Sequence, residues 1–114
     1  MSLNTLTIAE ARDRLRARDV TSVELTQACL SAIDGAGALN AFVHVDPDGA
    51  GQQARRVDAR VAAGEDPGPF AGVPFGVKDL EHCAHLPTSH GSVVYADRGP
   101  VANDSIHVAR LRAA

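Results

Sequence analysis

The stretch Gly72–Leu80 reads GVPFGVKDL. Val73, Phe75 and Val77 alternate with Pro74, Gly76 and Lys78, a period of two that predicts a short half-buried strand. The strand delivers a lysine at its end and an aspartate directly after it. A lysine that closes an apolar strand is ordinarily a surface residue guarding a sheet edge. Strand ends are also where α/β proteins hold their ligands. A lysine desolvated in such a place gives up its proton readily and serves as a base. Gly72 and Gly76 allow the backbone there to approach another group closely.

Upstream, Thr7-Ile8-Ala9-Glu10 and Thr21-Ser22-Val23-Glu24 both match a capping box, in which threonine and glutamate satisfy orphan amides reciprocally. Apolar residues at helical spacing follow each one, predicting helices from about Thr7 to Arg18 and Thr21 to Ile33. Leu39–Val45, LNAFVHV, reads as a strand closed by Asp46-Pro47. Ala50, Ala54, Val57 and Val61 mark a third helix ending at Gly64. The Gly/Pro-rich loop GEDPGPFAG leads into the opening stretch. Beyond Lys78 the chain reads as mostly irregular, with a short strand at Val93–Tyr95. A last helix, capped by Asn103 or Asp104, carries Ile106, Val108, Ala109 and Leu111. Its apolar pattern runs to Ala114 without a terminating signal, so residues 1–114 are expected to be a segment of something longer. The expected fold class is α/β, with helices packed on a mixed sheet in which Leu39–Val45 and Gly72–Val77 are neighbours. The helices at Thr21–Ile33 and Asp104–Leu111 are expected to expose apolar side chains.

The 114 residues suit one domain; 45% are hydrophobic and 22% charged, enough apolar material for a core. A net charge of −3 argues against nucleic acid as a partner, since no basic face is available to neutralise phosphates. Arg12, Arg14, Arg16 and Arg18 spread around a helix among Asp13 and Asp19, a solvated surface. Cys29 and Cys83 form neither a metal-finger spacing nor a disulfide framework, which fits a reduced, cytoplasmic setting. The N-terminus lacks the basic and apolar regions of a signal peptide, and no apolar run is long enough to span a bilayer, so no membrane partner is expected.

Lys78 is the first chemical candidate. Glu81, His82, Cys83, His85 and His90 are all metal-ligating types, but they crowd one short segment instead of closing a loop between two pairs, and no metal is expected. Cys83 beside two histidines lacks the order and third partner of a thiol nucleophile. Thr88, Ser89 and Ser92 lie in PTSHGS, which is turn chemistry and not a nucleophile elbow. No phosphate-binding or dinucleotide motif is present, and no cofactor is expected.

GPFAGVPFGVKDL, then LPTSHGS, then DSIHVARLRAA resemble the amidase signature family, the Ser–cis-Ser–Lys amide hydrolases. TSVELTQACLSAID and LNAFVHV look like that family's opening helices and first strand. The resemblance implies that Lys78 is the general base, hydrogen-bonded to a cis-serine that relays a proton to the nucleophilic serine. Asp79 matches the pattern without an assigned role. Both serines belong to a Gly/Ser-rich motif that the family carries after the point where this chain stops. The resemblance therefore implies a truncated amidase signature domain, inactive alone, with a small-molecule amide substrate in the complete enzyme. Its partner would be the remainder of the amidase core or a second copy. Two positions depart from the pattern: His85 stands where glycine is common, and the Thr-Thr-x-Gly-Ser run reads Thr88-Ser89-His90-Gly91-Ser92. Both leave the substrate open. The competing readings are a non-catalytic binding module that retains part of the fold, and a small metal-binding protein using the histidine loop.

Overall fold

The computed structural model describes residues 2–114. Among these residues four helices form, α1 (Ile8–Ala17), α2 (Ser22–Gly35), α3 (Pro47–Ala62) and α4 (Ile106–Ala113), with 3-10 turns at Leu3–Thr5 and Gly37–Leu39. The chain divides into two compact units. One holds the residues up to Phe42 together with Asp46–Pro74, and the other joins Val43–Val45 to Phe75–Ala114.

In the first unit both capping boxes form as the sequence predicts. The Thr7 hydroxyl accepts from the Glu10 amide at 3.3 Å, and the Glu10 carboxylate accepts from the Thr7 amide at 2.8 Å. Thr21 and Glu24 repeat the arrangement at 3.1 and 2.8 Å. Two further amides at the start of α2 are satisfied from outside it: Ser22 and Val23 donate to the Asp58 carboxylate of α3 at 2.8 and 3.1 Å. A negative charge thus faces the positive end of the α2 dipole. α3 starts on Pro47, with the Asp46 side chain accepting from the Gly49 amide at 2.9 Å. The core is small: Ala11, Val20, Leu25 and Ala54 are buried, with Ser22 and Thr26 among them. Ser22 Oγ donates to the Gly72 carbonyl at 3.1 Å. Gly72 has φ +87°, and a Cβ there would stand 3.2 Å from Ser22 Cβ and 3.3 Å from Leu15 Cδ1. The close approach expected of Gly72 is therefore to Ser22 and Leu15, a packing contact.

The expected sheet does not form: no strand is present among the described residues, and the one bridge pairs Pro87 with Pro100. Leu39 closes a 3-10 turn, Asn40 takes a left-handed φ of 48°, and residues 40–45 stay irregular. In the opening stretch Val73 donates back to the Phe70 carbonyl at 3.1 Å, and Pro74 has no amide to offer a ladder. Val93–Tyr95 instead sits in successive turns, with Ser92 donating to the Ser89 carbonyl at 2.9 Å and Tyr95 to that of Ser92 at 3.1 Å. Alternation supplies the side chains of a strand, but a strand exists only with a partner for its backbone groups. Phe42, Val43, Val45 and Phe75 remain exposed.

The second unit centres on Val108 of α4, which is 1% exposed, and on the buried Thr88 and Ser89. The N-cap of α4 is Ser105, one residue beyond the expected pair, and its amide donates to the His82 carbonyl at 2.9 Å. Asp104 is engaged elsewhere, accepting from the Ala84 amide and Arg112 Nε, both at 2.7 Å. α4 leaves both Ile106 and Leu111 exposed, Ile106 at 74%. α2 does not match the expectation made for it: Leu25 is buried, and Leu30 and Ile33 are half-buried.

Candidate functional site

Lys78 is the one lysine of the chain. It sits where the backbone reverses: its carbonyl accepts from the Leu80 amide at 2.7 Å and from the Glu81 amide at 3.0 Å. Its side chain is exposed and makes no hydrogen bond or ion pair among the described residues. The desolvated setting that the strand reading anticipated is not found around Lys78 among the described residues.

The next residue is held tightly. The Asp79 carboxylate accepts from the Ser89 amide at 2.7 Å, from the Ser89 hydroxyl in a short contact, and from the Gly91 amide at 3.1 Å. The Ser89 hydroxyl and amide, then the Gly91 amide and the nearby His44, bring its pKa down to about 2. Ser89 is buried. The turn is therefore tied to the TSHGS segment through a single carboxylate. Thr88 adds a long contact from its hydroxyl to the Glu81 carbonyl, at 3.5 Å. Nε2 of His44 is buried without a hydrogen-bond partner among the described residues.

The histidine-rich segment does not converge. His82, His85 and His90 are exposed, and no group of three or more ligating side chains comes together among the described residues. Glu81 faces His107 at 3.7 Å. His90 meets the edge of Tyr95, whose ring lies under Arg98 at 4.2 Å. Cys83 accepts from Arg112 Nη2 at 3.1 Å, with no histidine joined to it in a nucleophile–base pair. Both cysteines are free, and partial burial pushes the Cys29 thiol up, away from nucleophilic use. Ser92 Oγ accepts from the Val94 amide at 3.3 Å. His85 takes φ +71°, a backbone that glycine adopts freely, which explains why glycine suits this position. In the first unit a cleft of about 390 Å³ opens near Leu15, Val20, Val57 and Val61, and it includes none of these candidates.

Sequence reasoning passed over the grip of Asp79 on Ser89 and Gly91. The pairing spans ten and twelve residues of irregular chain, where no periodicity operates. No local signal points to it, because the turns that aspartate side chains form reach only about two residues along the chain.

The Amidase family model matches residues 24–114. The chain belongs to the Amidase family. The glutamyl-tRNA(Gln) amidotransferase A subunit of Dinoroseobacter shibae is 52% identical over 92 residues, covering 81% of this chain and 18% of that protein. Its counterpart from a Ruegeria species is 62% identical over 78 residues, or 68% of this chain and 16% of its own length. Among solved structures, a chain from a vestigial complex that reveals the evolutionary origins of an s-triazine catabolic enzyme matches with TM-score 0.90 and 28% identity. It covers 95% of this chain and 24% of that one. The crystal structure of PAM12A gives 0.85 and 32%, over 96% and 22%. This Amidase segment thus spans less than a fifth of the length of these curated relatives.

Proposed function

We propose that this segment supplies the lysine base of an amide hydrolase whose nucleophile comes from residues beyond these 114. The observation that carries the proposal is Lys78: a side chain without a partner among the described residues, at a pinned turn, inside the region that matches the Amidase family. The chemistry runs through a hydroxyl nucleophile. The free amine takes the hydroxyl proton through a relay serine, the oxygen bonds to the amide carbon, and the C–N bond breaks. The departing nitrogen then recovers the proton. Water, losing its proton along the same relay, then breaks the new acyl–oxygen bond, releases the acid and restores the hydroxyl. A dry site favours the free amine, and Lys78 is exposed here, so covering residues are part of the proposal. The identity to amidotransferase A subunits supports a setting in which the released ammonia passes to an acceptor within a multi-subunit enzyme, in the cytoplasm.

The test is a chimera in which this chain replaces the segment it matches in the Dinoroseobacter shibae protein. Ammonia release from a primary amide is expected in the chimera and absent from the 114-residue chain alone. Lys78→Ala is expected to lower kcat by at least about 10³-fold, since members of a catalytic set fail together. A chimera indifferent to Lys78→Ala would replace this reading with that of a non-catalytic module.

A further inference from the structure

We propose that Asp79 and Ser89 are positioning residues that act on Lys78 by clamping the turn from which it departs. This inference rests on Lys78 being the base. A lysine reaches its target along four rotatable carbons, and its side chain has no fixed partner among the described residues. Only the backbone can define where that reach begins. Two features lock it. On one side the Lys78 carbonyl is engaged by the amides of Leu80 and Glu81. On the other, the Asp79 carboxylate takes three donors from Ser89 and Gly91. Ser89 is 6% exposed and Thr88 is 5% exposed, so the clamp is anchored in the buried part of its unit and not on a mobile rim. Charge-assisted bonds of this kind are shorter and stronger than neutral ones.

The arrangement also assigns a purpose to the hydroxyl at position 89. Its oxygen donates to Asp79 and is therefore committed to the clamp, not to attack on a substrate. Threonine keeps the same donor, whereas alanine removes it and leaves the two backbone amides to hold the carboxylate alone.

Two measurements test the clamp. In the 114-residue chain, amide hydrogen exchange is followed at Ser89, Gly91, Leu80 and Glu81, with the amides of α2 as the internal control for folding. Asp79→Asn is expected to lower protection at all four positions while α2 is unchanged. Continued protection of Leu80 and Glu81 after Ser89 and Gly91 are lost would overturn the proposal, because the turn would then hold without the clamp. In the chimera, Asp79→Asn and Ser89→Ala are expected to lower kcat by about 10- to 100-fold with little change in KM, the size expected when a reacting group is misplaced by about 1 Å. Ser89→Thr is expected to recover most of that loss. Should Asp79→Asn give insoluble chimera, the Ser89→Ala and Ser89→Thr pair decides alone: no kcat difference between them overturns the clamp. Loss of turnover with Lys78→Ala but not with the clamp variants would leave the base standing and remove the clamp. Indifference to Lys78→Ala would remove the base first.

Discussion

At Asp79 three donors converge on one carboxylate, and all three weaken when it takes a proton. Its pKa is held at about 2 in the folded chain, against about 3.9 for an unfolded aspartate. A folded pKa below the unfolded one means stability that is fully present above the unfolded value and lost as pH falls towards the folded value. The expected outcome is a fall in stability between about pH 4 and pH 2, with a flatter profile in Asp79→Asn; urea midpoints at successive pH values measure it. Glu10, Glu24 and Asp104 are also lowered and contribute with the same sign, so the variant removes part of the slope and not all of it. An identical slope in wild type and variant would show that the three bonds do not couple to folding. Lys78 drew notice in the sequence because an apolar run ends on it, and its proposed role as base comes from the family resemblance. Asp79 was legible only as a neighbour, since its partners are set by how residues 80–88 coil, and coil conformation carries no period.

The helices were readable for a physical reason that the strands lacked. A helix satisfies its backbone within itself, so capping residues and a 3.6-residue repeat suffice to place it. α1 and α2 accordingly begin at the two capping boxes. A strand is completed by another strand, and the alternation in Gly72–Val77 contains no information about who that is. The bonds that the Ser22 and Val23 amides donate to Asp58 were hidden for the same reason, being contacts between elements. Gly72 tests the packing between elements. Gly64, at φ +80°, has nothing within 4 Å of an added Cβ, whereas Gly72, at φ +87°, has Ser22 and Leu15 against it. Gly64→Ala is expected to cost about 1 kcal/mol for its left-handed backbone. Gly72→Ala should cost roughly 1–3 kcal/mol more, from overpacking. Equal thermal midpoints for the two variants would refute the tight contact.

For the molecule as a whole, the apolar surface is unevenly distributed. Ile106, Leu111, Val93 and Val94 are exposed in the second unit, with Val93 at 90%, while the matching expectation for α2 fails because Leu25 turns inward. The family was legible from GVPFGVKDL and its companions, because those residues carry local chemistry that needs no sheet to be recognised. One consequence follows from Lys78 being the lone lysine. A lysine-specific endoprotease has one place to cut, after Lys78, and the cut would sever the proposed base from the carboxylate next to it. Proteases need several residues of open chain on either side of the bond, and here Leu80 and Glu81 are folded back onto the Lys78 carbonyl. The intact chain should therefore be nicked slowly, into 1–78 and 79–114, at a rate that follows the opening of this turn. Asp79→Asn should be nicked faster, so a gel lane with two bands becomes a clock for one hinge.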